Sequence, residues 1–499
     1  MISILATTSM PMDVPIIGAR AAIWIVAQVH LYFAAFVLGA PIFIVICEWL
    51  GQRRRDPRYE RLAKETMKVV SIAYSFTALL GAAFGFLLMG PYHVLGTFLL
   101  QQMGAVIALY VVLFIVETAL MYLYWYTWEP LAERKGLHLS IGVALNVVGT
   151  LVMVMMNAVG SYMLTPPKNA HASLWQRIDN PTFWPLNLHR FIANITLGGF
   201  MVALFAAFMF LTAKRREDRA FYDWMGFIGN FIGVATLMLL PLAGYLYAKE
   251  IFLYDANIAT FMMADKLSTF FVIQGLLVSL LFLGANYYMW MSIRRIDGSE
   301  YYLRYMRRVF GVILVGAMVW LIPQNFYPDL TSPLAGVGLK DATLPQPSVF
   351  LGLMMAKALA VTAIILITFL TYMVYRRVVA RGTVRWGEIA PQAQYALVFV
   401  PVVVVYLMGW MGAVRELARQ GWHVYGVLPN TTPYWYTPPL AYASIMVGIT
   451  TLIFFTFVGF IFWIGFKLGK TEPAGEAEQA GEAERAAVRF KLGTAEQEA

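Results

Sequence analysis

The sequence predicts an all-α polytopic membrane protein of about eleven transmembrane helices, N-terminus outside and C-terminus cytoplasmic, and three observations carry that prediction. Of the 499 residues, 60% are hydrophobic and 13% charged, more apolar surface than an aqueous fold can hide. About eleven apolar runs reach the roughly 20 residues that one bilayer crossing needs. Lys and Arg cluster in every second gap between the runs, at 53–68, 134–135, 214–219, 294–308 and 376–385, while the other gaps carry few cations. Cationic loops stay on the cytoplasmic face, so the alternation sets the orientation of the chain.

The runs lie at about 20–49, 69–94, 103–126, 139–164, 186–212, 223–248, 267–292, 309–327, 348–375, 393–414 and 440–466. The 15 residues at the start are weakly polar and lack a basic stretch before a short apolar core, so the first run itself is expected to insert the chain. It holds Cys47, the single cysteine, which rules out an intrachain disulfide and a Cys-x-x-Cys-His haem attachment. Three outward segments, 165–185, 327–347 and 415–439, are rich in Pro and aromatic residues that suit the headgroup layer. Residues 1–469 read as one membrane-embedded domain, and the Ala/Glu-rich tail 470–499 as a disordered cytoplasmic end. No internal repeat is evident, which weighs against an inverted-repeat transporter. The cytoplasmic gaps and tail account for the net charge of +9, so it gives no reason to invoke nucleic acid.

Ionisable side chains inside spanning helices are costly and usually functional. His30 lies in the first run, in AIWIVAQVHLYFAAF, and Glu117 in the third, in YVVLFIVETAL. His189 and Arg190 open the fifth run, in WPLNLHRFIANITLGGF. Lys357 lies in the ninth, in VFLGLMMAKALA, just after Met354 and Met355. The fifth and ninth runs both begin at the outer face, and His189 and Met355 differ in depth by roughly 6 Å, which helix tilt absorbs. An imidazole and a thioether from facing helices form an axial pair for an electron-transfer haem. Arg190 and Lys357 are then placed for its propionates. The ordinary alternatives are interfacial hydrogen bonding for His, core packing for Met and snorkelling for the two cations.

At these residues the chain resembles subunit I of the cytochrome bd-type quinol oxidases. AQVHLYFAAFVLG is similar to the first-helix segment carrying the family's histidine ligand to the oxygen-site haem, and ERLAKETMKVVSIAYSFTALLGAAFG to the loop and helix that follow. SYMLTPP is similar to a stretch after the family's fourth helix. LNLHRFIANITLGGF resembles the segment with the histidine of the low-spin haem b, and VFLGLMMAKAL the one with its methionine, falling on Met355. ARQGWHVYGVLPNT resembles the family's Gly-Arg-Gln-Pro-Trp hallmark and places Arg419, Gln420 and Trp422 in it. The resemblance implies a low-spin haem b on His189 and Met355, and a second haem, b or d in type, on His30. It implies a proton path through Glu117, quinol as donor, dioxygen as acceptor, and a second membrane subunit or larger respiratory complex as partner. A bacterial or archaeal plasma membrane is the implied location.

The chain departs from that pattern in four places. Leu407 stands where the family has the glutamate ligand of a further high-spin haem, so a third haem lacks its ligand. Leu109 replaces the second proton-path carboxylate, and Leu353 an arginine two residues before the methionine. Where the family carries a hydrophilic quinol loop, this chain has two additional runs, 267–292 and 309–327, which keep all later runs in the same orientation. A quinol site is then expected near Trp422 and His423, with His93 a further outward histidine. Three functions stand at this point: a bd-like oxidase subunit, a divergent cytochrome b that relays electrons without reducing oxygen, and a haem-free transporter or scaffold.

Overall fold

A computed structural model describes residues 14–263, 265–323, 346–430 and 439–467. The tail 470–499, most of the 327–347 segment and 431–438 lie outside the described residues. The chain divides into two compact units, Met1–Phe454 and Phe455–Ala499. In the first unit, α1 (Gly18–Arg54), α2 (Pro57–Met89), α3 (His93–Tyr126) and α4 (Lys135–Leu164) run as successive hairpins. A short α5 (Leu174–Ile178) leads to α6 (Phe183–Thr212), α7 (Arg216–Leu237), α8 (Leu240–Tyr254) and α9 (Ala256–Met263). Then come α10 (Ser268–Arg294), α11 (Glu300–Leu303), α12 (Met306–Leu321), α13 (Pro347–Val379) and α14 (Pro391–Ala418). A hairpin, β1 (Trp422–Val424) with β2 (Leu428–Pro429), precedes α15 (Pro439–Lys467). The described part of the second unit is helical, with Phe460 stacked on Trp463.

Ten helical stretches among the described residues are long and apolar enough to cross a bilayer, against eleven runs in the sequence. The difference is α12, whose described helix has 16 residues and so spans about 24 Å. Its route is nevertheless that of a crossing helix. Tyr302, just before it, accepts from Arg377 at the end of α13, and farther along Gly316 packs against Ile364 and Ala360 in the middle of α13. The sixth run is broken at Met238 and Leu239, because Pro241 at the start of α8 has no N–H to donate and its ring clashes with the preceding turn.

The most buried spans are α1, α6 and α14, and the least buried are α2 and α3, whose apolar side chains are largely exposed. Small residues set the closest approaches. A Cβ on Gly39 of α1 would stand 1.8 Å from the Asn194 carbonyl oxygen of α6. On its other side, α6 meets α7 through Gly199 against Gly229 and Gly233. Without a solvent-driven hydrophobic force between helices in lipid, such backbone contact is how helices associate closely.

The five basic gaps share one face. Lys64 pairs with Glu129 and Lys135 with Glu60, joining the α1–α2 and α3–α4 gaps. Arg61 reaches Asp218 at 3.1 Å, Arg216 reaches Glu388 at 3.2 Å, and Arg385 reaches Asp297 at 3.2 Å. These contacts link the gaps before α7, α11 and α14 to the first two. By the charge rule this face is cytoplasmic.

Candidate functional site

Toward the outer face, the entry of α6 is pinned by a buried polar knot. Thr165 donates to Asn180 Oδ1 at 2.9 Å and meets the Thr182 hydroxyl at 2.7 Å, and Asn180 donates to Ser161 at 2.8 Å. Because α6 begins at Phe183, His189 lies six residues into it, and Met355 lies eight into α13. The nominal difference in depth is thus about 3 Å, half that read from the apolar runs. The two helices share α8 as a neighbour. His189 faces Gly244 and Tyr247 of α8, and a Cβ on Gly244 would lie 3.8 Å from His189 Nε2. Phe350, five residues before Met355, packs on Tyr245 and Phe252 of the same helix. Met355 is half-buried, and Lys357 is buried with its ammonium 4.7 Å from the Phe271 ring centre.

Beside His189 the structure gathers positive charge. Arg190 donates to Asn157 Oδ1 at 3.0 Å. The Tyr247 hydroxyl, buried and without a hydrogen-bond partner among the described residues, lies within electrostatic reach of Arg190, Arg415 and Arg419. Arg419 is buried, pairs with Glu416 and donates to the His423 carbonyl at 2.6 Å. Its position is fixed by a tight turn in which Gln420 and Gly421 both take positive φ, 52° and 94°. The side chain of Gln420 itself is exposed, and Trp422 is half-buried at the first position of β1. Burial pushes the His423 imidazole down to about 4, with Arg419 adding to the shift and Glu416 opposing it. His423 also stands edge-on to Tyr92.

His30 lies deeper, on α1, where its Nδ1 meets the Thr77 carbonyl oxygen of α2 at 3.0 Å. A carbonyl accepts only, so Nδ1 carries the proton and Nε2 keeps its lone pair, the state of a metal-ligating imidazole. A Cβ on Gly81 would stand 2.9 Å from the ring, while one on Gly85 would meet nothing within 4 Å. Gly81 thus lets the α2 backbone pack directly on the His30 ring, and Gly85, one turn on, is exposed. Glu117 is buried on α3, accepts from Tyr74 at 3.4 Å, and lies against Gly149 of α4, where a Cβ would stand 2.7 Å from Oε1. Leu109, two turns earlier, is exposed, and Leu407 is buried.

Several groups escaped the sequence reading. Arg415 joins the arginine set, yet in sequence it resembles any cation at a helix end. Glu48 of α1 is buried with His138 of α4 and Tyr124 of α3: His138 Nδ1 lies 2.7 Å from Glu48 Oε1, and the Tyr124 hydroxyl donates to Oε2. Glu48 sits at the very end of its apolar run and His138 beside a basic pair, so both pass as interfacial residues. The shared face of their two gaps was the available signal.

A family model described as "Cytochrome bd terminal oxidase subunit I" matches residues 19–266. A curated relative from Bacillus subtilis (strain 168), named "Putative cytochrome bd menaquinol oxidase subunit I", is 23% identical over 236 residues, 45% of this chain and 52% of the relative. The chain thus spans about half the length of the curated relative it matches. The solved structure of bd oxidase from Geobacillus thermodenitrificans aligns with a TM-score of 0.43 at 16% identity, over 81% of this chain and 98% of that one. The segments that carry His30, Glu117 and His189 all lie inside the family match, and this multi-pass membrane chain belongs to the cytochrome bd terminal oxidase subunit I family.

Proposed function

We propose that this chain is the haem-carrying subunit of a bd-like terminal oxidase that moves electrons from quinol to dioxygen. The observation that carries this reading is the arginine set beside His189. Three guanidinium groups around the Tyr247 hydroxyl, whose ring stands beside the half-buried His189 imidazole, with Glu416 as their carboxylate, form a surplus of positive charge inside a membrane bundle. Such a surplus calls for an anionic ligand, and the carboxylates of a haem supply it. Bound haem provides one-electron redox chemistry, and a haem with an open axial position takes dioxygen. His189 and Met355 would hold the low-spin group. Arg190, Arg415 and Arg419 would hold its carboxylates. His30, fixed by Thr77, would hold the second group, and Glu117 would keep a proton near it. His423, next to Trp422 and Arg419 at the outer face, would accept a hydrogen bond from a quinol hydroxyl through its neutral ring. A second membrane subunit completes the complex.

A second reading, a cytochrome b that only relays electrons, is favoured by one observation: buried Leu407 offers no ligating atom where a further haem would need one. A redox difference spectrum with pyridine-haem quantification tests the first reading, with two haems per chain expected. Absence of a Soret band in the purified complex removes both readings and leaves the transporter or scaffold. His189→Ala is expected to remove the low-spin signal. Oxygen uptake with a quinol substrate then separates an oxidase from a relay.

A further inference from the structure

Glu48 is a buried carboxylate with no task in the reading above. It sits near the cytoplasmic end of α1, below a rim of surface charges. Glu129, exposed and paired with Lys64, and Lys135, paired with Glu60, are both within electrostatic reach of His138. The groups facing Glu48 are Gln52 on its own helix, Tyr124 on α3 and His138 on α4. His138 Nε2 meets the Tyr124 carbonyl at 2.9 Å, so both ring nitrogens are engaged. Burying a carboxylate and an imidazole together in an apolar bundle is costly, and a greasy side chain would pin three helix ends as well.

From this group a line of small and polar residues follows one face of α4 toward Glu117. His138, Gly142, Asn146 and Gly149 recur at helical spacing. Gly142 lies against a Val45 methyl and the Tyr124 ring, and Gly149 against Glu117 and a Leu38 methyl. Asn146 donates to the Pro41 carbonyl of α1 at 3.2 Å, and its Oδ1 is buried without a hydrogen-bond partner among the described residues. A buried acceptor left without a protein partner calls for water to satisfy it. The eleven residues from His138 to Gly149 rise about 16 Å, with Asn146 some three-quarters of the way. Beyond Glu117, Tyr74 reaches both Glu117 and Thr118, and Thr77, one turn farther on α2, holds His30.

We infer that Glu48 and His138 are the cytoplasmic mouth of a proton-input path that runs along α4, by way of Asn146 and water, to Glu117. The inference rests on the oxidase reading and extends it. Each proton that Glu117 passes on is replaced by one taken from the cytoplasmic aqueous phase at Glu48 and His138, with no change in electron count. The path is contained in this one chain.

The test uses the purified complex. Its reduced, carbon monoxide-bound form is flashed in the presence of dioxygen. Haem oxidation is followed optically, and proton uptake by a pH-sensitive dye in weak buffer. Glu48→Gln should slow proton uptake and the last oxidation phase by about tenfold or more, while haem content and the first electron-transfer phase stay as in the native protein. Glu48→Asp should recover most of the rate. Glutamine still accepts from Tyr124 and bonds His138, so a merely structural role leaves Glu48→Gln at native rates, and that result overturns the inference. Should Glu48→Gln fail to assemble, Asn146→Leu decides, because it breaks the path without touching the charged group: slowed uptake supports the inference and native uptake overturns it. Failure of the oxidase reading is distinguishable, since the unmutated complex would then show no haem or no reaction with dioxygen.

Discussion

Asp223 and Arg295 form an ion pair at 2.7 Å with both side chains almost fully buried, and Asp223 also accepts from the Gly387 N–H at 2.9 Å. Removing one partner strands the other charge. Asp223→Ala is therefore expected to destabilise the protein by about 3–5 kcal/mol, read as a loss of thermal stability in detergent. The double variant Asp223→Leu, Arg295→Met should recover much of that loss. His423 sets a pH window. Its folded-state value of about 4 lies below the ordinary 6.5, so the folded protein prefers the neutral ring. This contribution, up to about 3 kcal/mol, is complete above pH 6.5 and is lost as pH falls toward 4. The melting temperature should drop across that window, and His423→Gln should flatten the drop; an unchanged profile would show that His423 is not its source. At this scale the sequence was legible where one residue is unusual for its surroundings, as with His30, Glu117 and His189. It was silent where an ordinary helix-end residue gains meaning only from its neighbours, as with Arg415, Glu48 and His138.

Helix α6 is fixed on two sides by backbone contact, to α1 through Gly39 and to α7 through Gly199, Gly229 and Gly233. Gly199→Val would force its methyl groups into the α7 backbone, 2.6 Å from Gly233 N even at Cβ. Overpacking of this kind costs about 1–3 kcal/mol or more, and here both walls are backbone that cannot step aside. The expected outcome is lower yield of monodisperse protein by size exclusion, together with loss of any low-spin haem signal, since His189 shares the helix. The equivalent change at Gly448, where a Cβ would meet nothing within 4 Å, should be tolerated. The existence and order of the long helices were legible because apolar runs of crossing length are unambiguous. Their ends were not. The break at Pro241 was written in the sequence but sits inside an apolar stretch. The start of α6 at Phe183 depends on the Asn180 knot, whose partners come from another helix.

Across the whole molecule the charge alternation proved the most legible feature, because insertion reads it directly from the chain. Cys47 is buried, so single cysteines placed at Asp218 or Asp297 should react with a membrane-impermeant thiol reagent only from the cytoplasmic side, in inverted vesicles. Labelling of either in intact spheroplasts would reverse the orientation. What the alternation did not disclose is that the same cations find carboxylates in neighbouring gaps: Arg61 with Asp218, Arg216 with Glu388, Arg385 with Asp297. Each pair is exposed and weak alone. Together they give the loop charges a second life. An address that is read once, while the chain enters the bilayer, is afterwards reused as a fastening among loops that were threaded separately. The two uses come apart under substitution: replacing Arg61 and Arg216 by Lys preserves the address and weakens the fastening, whereas replacing them by Gln removes both.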